Sequence, residues 1–327
     1  MSPLEELLAA EIEREGPISF QRFMETALYH PQFGYYRSSR DPFGKAGDFY
    51  TATQLQPVFG ILMASHIREL YRRMGAPADF TVVDLGAGRQ EMADAFSEWR
   101  YVPVDFGAQN LPEHFRGVVF SNEFFDALPV EVVQYQQNRF HRQCVGYTGG
   151  RFHWCNGGDP SPAVERYLRR FFPAPEEGRW YEANLDALEW LRRIADALDS
   201  GFVFSIDYGF TRLESIRFPA GTLMGYQRHN AREQILEDPG ARDITAHVNF
   251  TALREFGEEI GLRTERFETL AQSILAAGER DQFAGVLTDA SPSAVPPPEN
   301  RRLGQLKTLL LGMGETFRVL LQSKEEP

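Results

Sequence analysis

The sequence predicts an α/β protein built on a mostly parallel sheet, and three observations carry that expectation. Strand-like apolar runs occur at Thr81–Leu85, Gly117–Ser121 and Gly201–Asp207. Each ends in polar or glycine-containing residues, as strands do where an open sheet meets its ligand crevice. Stretches of helical periodicity lie between the runs, and strands that alternate with helices favour parallel pairing.

The elements follow in order. Residues 3–15 place apolar and charged side chains at helical spacing. Ser19 is positioned to cap a second helix, FQRFMETALYH, which stops before Pro31. Residues 31–50, rich in Gly, Pro, Ser and aromatics, predict a long functional loop. A helix from about Pro57 to Met74 precedes the sheet. Strands are expected at 80–84, 101–105 and 117–121, with a short helix at 90–98. Residues 131–154 alternate like a hairpin. Helices are expected at 161–172 and 184–199, a buried strand at 201–207, a helix at 250–260 and a strand at 262–267. The proline-rich stretch 291–300 predicts a linker, followed by a helix at 301–311 and a strand near 315–321. Residues 1–75 are thus expected to form a helical N-terminal cap carrying an active-site loop. Residues 76–327 form the sheet domain, with an insertion at about 131–180.

Composition narrows the function. At 327 residues the chain can bury a large core. A net charge of −12 argues against a nucleic-acid binder, which presents a basic face, and is compatible with a basic protein segment as substrate. No apolar run reaches the length of a membrane span. The acidic, amphipathic N-terminus matches neither a secretory signal nor a transit peptide, so a cytoplasmic protein is expected. Cys144 and Cys155 are the two cysteines. They lack the partners of a zinc site and read as a reduced pair, so no metal is expected.

Chemistry concentrates at a few places. Asp84-Leu85-Gly86-Ala87-Gly88 follows a β-branched strand, and glycines there let the backbone turn tightly and approach a ligand. The turn suits a dinucleotide or S-adenosylmethionine. A dinucleotide fingerprint needs a third glycine where Glu91 stands, and a carboxylate there repels a pyrophosphate. The ammonium and sulfonium of S-adenosylmethionine tolerate it. Asp105 ends the next strand and is placed to accept from ribose hydroxyls, or is an ordinary turn aspartate. Asn122 and Glu123 put an amide and a carboxylate at the third strand end, where Glu123 can bind a guanidinium bidentately or hold the cofactor amine. Asp126 either reaches a substrate or caps a following short helix. In Gly47-Asp48-Phe49-Tyr50-Thr51, Phe49 or Tyr50 can cover a sulfonium, and Asp48 can orient a substrate nitrogen or the cofactor. Asp207-Tyr208-Gly209 is a candidate for the substrate side of the crevice, and His247 stands out among seven histidines. Glu182, after the strand-like run RWYE, is a further candidate for the same cleft. These sites together suggest a methyl-transfer enzyme.

Six segments occur in order: GDFYTATQLQPVFG (47–60), SNEFFDALPV (121–130), SIDYGF (205–210), GTLMGYQRH (221–229), DITAHVNFTAL (243–253) and GMGETFRVLL (312–321). Together they resemble the MidA family of S-adenosylmethionine-dependent methyltransferases, which includes the mitochondrial complex I assembly arginine methyltransferase. The resemblance implies a class I, Rossmann-like methyltransferase fold with a seven-stranded mostly parallel sheet, a helical N-terminal cap and inserted β-hairpin and helical elements. It implies S-adenosyl-L-methionine as cofactor and a protein with an exposed arginine as partner. Gly86, Gly88 and Asp105 are then expected to hold the cofactor, with Asp84 at the head of the turn. Gly47, Asp48, Phe49, Thr51, Asn122 and Glu123 line the join between cofactor and substrate. Asp48, Glu123 and His247 become the catalytic candidates, and Asp126, Asp207 and Tyr208 the substrate-side ones.

The sequence departs from the family pattern at the turn. Asp84 stands where the family has glutamate, Gln90 replaces the third glycine, and the segment between Gly88 and Asn122 is short. Two other readings stay open at this level: a small-molecule O- or N-methyltransferase, and a non-catalytic scaffold that retains the fold.

Overall fold

The computed structural model describes residues 1–37, 52, 55–107, 110–227, 230–232, 235–279, 281–288 and 299–325. In chain order the first elements are α1 (Pro3–Glu15), β1 (Ile18–Ser19), α2 (Phe20–Tyr29), α3 (Val58–Arg73), β2 (Thr81–Leu85), β3 (Arg100–Val104) and β4 (Phe115–Asn122). Then come β5 (Glu131–Gln136), β6 (Arg139–Thr148), β7 (Arg151–Asn156), α4 (Pro162–Phe171), β8 (Trp180–Ala183), α5 (Leu185–Ala197) and β9 (Leu198–Phe210). The rest are β10 (Met224–Gln227), β11 (Asn230–Arg232), β12 (Asp243–Thr245), β13 (Val248–Asn249), α6 (Phe250–Glu259), β14 (Arg263–Thr269), α7 (Leu270–Gly278), α8 (Ala284–Leu287), α9 (Glu299–Lys307) and β15 (Phe317–Lys324).

The chain forms two compact units, each assembled from three stretches. One comprises Met1–Tyr50, Phe125–Glu189 and Phe210–Leu253; the other comprises Thr51–Phe124, Trp190–Gly209 and Arg254–Pro327.

The second unit carries the main sheet. Six strands run along it in the order β14-β15-β9-β4-β2-β3. β2 pairs in parallel with β3 and β4, and β4 with β9. β15 is antiparallel to both β9 and β14. The mostly parallel sheet expected from the apolar runs is therefore present. Alternation sets its faces: Val82, Val118, Phe120, Phe204 and Ile206 join the apolar face of α3, with Phe59, Leu62, Met63, Ile67 and Leu70, in one buried cluster. Two glycines lie in register across three strands, Thr81 opposite Gly117 and Gly117 opposite Gly201. Their φ angles are +152° and +139°, and neither position has room for a Cβ.

The helix expected at 90–98 does not form. Residues 86–98 run as successive turns, with Gln90 at φ +59° and its N–H bonded to the Ala87 carbonyl. The left-handed Gln90 breaks the helical path at its first residue. β3 lies at the end of the sheet path, and no helix or strand occurs among the described residues between Asp105 and Phe115.

The first unit holds a second sheet, β1-β6-β5-β8, with β7 on β6, and a small sheet, β11-β10-β12. The hairpin expected at 131–154 is the centre of the former, extended by strands from far along the chain: Ile18 pairs with Val145, and Val132 with Glu182. Cys144 and Cys155 face each other in register across β6 and β7 as free thiols. Helices α1 and α2 cover this sheet with Leu4, Leu8, Phe20, Phe23, Met24 and Leu28 against Val132 and Val145. At the start of α1, Ser2 and Glu5 form a capping box; at α2 the Ser19 hydroxyl accepts the Arg22 N–H, the cap that the sequence predicts. No helix among the described residues is long and apolar enough to cross a membrane.

Candidate active site

In the second unit, the carboxyl ends of four adjacent strands bring together most of the expected residues. β2 runs into Gly86 at φ +71° and Gly88 at φ +48°, backbone conformations that favour glycine. A Cβ on Gly86 would press on the Phe124 ring at 3.1 Å, whereas one on Gly88 would meet only its own turn, at 3.9 Å. The Gly86 N–H donates to the Val104 carbonyl at 2.8 Å, tying the turn to the end of β3. Asp105 follows directly, and its Oδ1 accepts the Gly88 N–H at 2.9 Å. Residues 17 apart in sequence thus form one rim, with the Asp105 carboxylate partly exposed.

Asp84, one turn earlier, is buried, and the Tyr101 hydroxyl donates to its Oδ2 at 2.7 Å. Burial pushes the Asp84 carboxyl up to about 7; the Tyr101 hydrogen bond opposes that shift, and the carboxylates of Asp105 and Glu91 add to it. The native state therefore holds a proton that the unfolded chain releases, and Asp84's contribution to stability is lost as pH rises from about 4 to about 7. Asp84→Asn should remove that loss, gaining on wild type by at most roughly 4 kcal/mol across the window. Urea unfolding at pH 4.5 and 7.5 checks it; a stability difference between the two chains that does not change with pH would contradict it.

At the end of β4, Asn122 is the last ladder residue, and Glu123 turns to φ +53° while its N–H bonds the Ile206 carbonyl of β9 at 3.0 Å. A non-glycine residue in that region is uncommon and concentrates at functional sites. Glu123 Oε1 accepts from the Asn122 side-chain amide at 3.0 Å and from the Ala52 N–H at 3.2 Å. The carboxylate is half-buried and held in one orientation. Asn122 is buried, and its Oδ1 has no hydrogen-bond partner among the described residues. An acceptor left this way at a strand end is built to meet a donor. Asp207, at the end of β9, is buried and takes its neighbour's Tyr208 N–H at 2.9 Å, and the Tyr208 ring packs edge-on against Phe317.

The first unit contains Asp126 and His247. No helix follows Asp126, so its reading as a helix cap is corrected: the residue is buried in a turn, and its carbonyl accepts the Ala246 N–H at 2.9 Å. The His247 N–H donates to Thr222 Oγ1 at 3.0 Å, its ring stands edge-on to Phe218, and burial lowers its pKa to about 4. His247 is therefore neutral at neutral pH and a weak base. Glu182 is buried and accepts the Thr222 N–H at 2.8 Å, and its Oε1 would lie 2.2 Å from a Cβ on Gly221. It fastens that loop. Gly47, Asp48, Phe49 and Thr51 lie outside the described residues.

Sequence reasoning missed Tyr101 and Gln305. Gln305 Nε2 donates to the Gln56 carbonyl at 2.6 Å, tying α9 to the segment whose Ala52 N–H reaches Glu123. Nothing in the spacing of Tyr101 or Gln305 signals these partners.

These residues fit S-adenosyl-L-methionine. Gly88 leaves its surroundings open, the partly exposed Asp105 carboxylate is of the kind that accepts from ribose hydroxyls, and the Asn122 side-chain oxygen has no partner among the described residues. Similar proteins point to the same cofactor. A family profile described as "Putative S-adenosyl-L-methionine-dependent methyltransferase" matches residues 95–268. A crystal structure from Burkholderia thailandensis bound to S-adenosyl-homocysteine is 29% identical, superposes with a TM-score of 0.87, and is matched over 99% of this chain and 92% of that one. A native crystal structure from the same organism is 30% identical with a TM-score of 0.82, again over 99% and 92%. The Drosophila melanogaster protein named "Protein arginine methyltransferase NDUFAF7 homolog, mitochondrial" is 27% identical over 315 residues, 78% of this chain and 70% of that one. The chain belongs to the family that the profile describes and is a methyltransferase that uses S-adenosyl-L-methionine.

Proposed function

We propose that the methyl acceptor is the guanidine group of an arginine on a protein partner, and that Glu123 binds it. The fixed half-buried carboxylate at the end of β4 carries this reading, because a guanidinium pairs with carboxylate through two parallel charge-assisted hydrogen bonds. The arginine methyltransferase name of relatives such as the Drosophila protein and the net charge of −12 support it.

Gly86, Gly88, Asp105 and Asn122 hold the cofactor, which when bound supplies an electrophilic methyl group. Asp207 and Tyr208 flank the acceptor side. Guanidinium lone pairs are delocalised and its protons are tightly held, so the nitrogen is a poor nucleophile. Glu123 draws positive charge towards the nitrogens it contacts and leaves more electron density on the one that attacks. It also stands ready to take the proton that the alkylated nitrogen loses. Positioning supplies most of the remaining rate.

The test is to incubate the full chain with methyl-labelled S-adenosylmethionine and an arginine-containing peptide mixture, beside the same peptides carrying lysine or citrulline. Label recovered as methylarginine from the arginine set alone is expected. Label on the lysine peptides, or none on arginine, overturns the reading.

A further inference from the structure

Within the second unit, a run of hydrogen bonds links α9 to the Glu123 carboxylate. It passes through the start of α3, where the first N–H groups have no carbonyl of their own helix to meet. Gln56 serves one of them with its side chain: its Oε1 accepts the Gly60 N–H at 3.2 Å. A Cβ on Gly60 would lie 2.5 Å from that oxygen, so glycine admits the side chain there. The Gln56 backbone carbonyl meets α9 instead, where Gln305 Nε2 donates to it at 2.6 Å. Towards the site, the Phe59 N–H donates to the Leu55 carbonyl at 3.1 Å and the Leu55 N–H to the Ala52 carbonyl at 3.0 Å. The Ala52 N–H then donates to Glu123 Oε1 at 3.2 Å, and Ala52 is fully buried, so water does not compete for that bond.

The α9 end of the run is firmly held. Arg302, one turn before Gln305, donates from Nη1 to the Val286 and Thr288 carbonyls at 3.1 and 2.7 Å, which ties α9 to the end of α8. Leu306 lies in the same buried cluster as Ala52 and Phe59. Gln305 itself is 8% exposed, and its Oε1 has no hydrogen-bond partner among the described residues. An amide buried with its oxygen unmet costs free energy, and an apolar side chain of like length would fill the space without that cost. Packing therefore does not account for a glutamine at this position. What its amide adds is a donor for the Gln56 carbonyl.

We propose that Gln305 is a positioning residue for methyl transfer: it fixes Gln56 and, through Leu55 and Ala52, the orientation of the Glu123 carboxylate. Its effect on the rate rests on the reading of Glu123 as the group that binds the acceptor. Glu123 Oε1 takes a donor from its neighbour Asn122 and a second from Ala52, and the second anchors it to a different segment of the chain. Loss of that anchor lets the carboxylate turn away from the acceptor, and small misplacements of a binding group are costly in rate.

Hydrogen exchange of the Ala52 amide, followed by NMR in the full chain and in Gln305→Met, reads the positioning without any acceptor. The near-isosteric substitution removes the donor and keeps the packing. Exchange at Ala52 should be about fivefold or more faster. Stability should change little, because relief of the buried oxygen offsets the lost bond, and S-adenosylhomocysteine affinity should stay within about a factor of two. Gln305→Glu, equal in size and without the donor, replaces the first variant if that one does not fold. Unchanged Ala52 exchange in the folded variant overturns the proposal. Kinetics with arginine peptides separates positioning from general loosening. In Gln305→Met, kcat/KM should fall about fivefold, but by less than about twofold when Glu123 is already glutamine, because the charge being positioned is gone. An equal loss in both backgrounds overturns the proposal. The two readings fail separately. Faster Ala52 exchange in a chain that forms no methylarginine removes the arginine reading and leaves Gln305 as the holder of Glu123. Methylarginine formed with unchanged Ala52 exchange removes Gln305 alone.

Discussion

Glu123→Gln should lower methyl transfer by about a hundredfold or more while leaving S-adenosylhomocysteine binding within a factor of two. The substitution keeps size and shape, and an amide oxygen can still accept the Asn122 and Ala52 bonds. What goes is the charge. A hydrogen bond to a charged group is worth about 1.5–3 kcal/mol, and a bidentate pair loses two, so roughly 3 kcal/mol of acceptor binding and transition-state stabilisation is at stake. The loss should divide between KM and kcat, because the carboxylate both binds the acceptor and shifts charge within it. Glu123→Ala is a poorer probe, since it frees the Ala52 N–H as well. Steady-state kinetics with the arginine peptides, together with cofactor titration of the same preparation, separates the outcomes. Unchanged kinetics in Glu123→Gln would remove Glu123 from the mechanism.

The second large effect is on stability. Gly117→Ala should cost on the order of 4 kcal/mol, a large part of a typical total of about 5–15 kcal/mol. At φ +152° the backbone occupies a region open essentially to glycine alone, which costs about 1–3 kcal/mol for any other residue. The added Cβ would also lie 1.9 Å from the Thr81 carbonyl oxygen, inside the central β2–β4 pair, so the strands must part or the residue must twist. Gly201→Ala repeats the problem one strand over, against the Gly117 carbonyl. Urea unfolding should show a lower midpoint with an unchanged slope. A change under about 0.5 kcal/mol would contradict the argument.

Much of this protein was legible in its residues because the informative signals were local. Runs such as Thr81–Leu85 and Gly201–Asp207 are largely apolar and buried along their length, as strands covered on both faces must be, and they flank β4 in the central sheet. Ser19 capped its helix as expected. Asp105 and Gly88 were picked out separately, and the structure joins them by a hydrogen bond. What stayed hidden depended on partners distant in sequence. Glu182 reads as a cleft residue until its bond to Thr222, 40 residues on, places it in a loop anchor. The hairpin at 131–154 gave no sign that Ile18 or Trp180 would extend it. The expected helix at 90–98 failed for a local reason, the left-handed turn at Gln90. The small sheet β10–β12 carried too short a pattern to register.

The central claim is that the strand-end rim of Gly86, Gly88, Asp105 and Asn122 holds S-adenosyl-L-methionine. Isothermal calorimetry of the full chain with S-adenosylhomocysteine, beside Asp105→Ala, tests it most directly. Micromolar binding by the wild-type chain is predicted, weakened about tenfold or more by the loss of the Asp105 carboxylate. No heat of binding at millimolar ligand, or equal affinity in Asp105→Ala, would contradict the account.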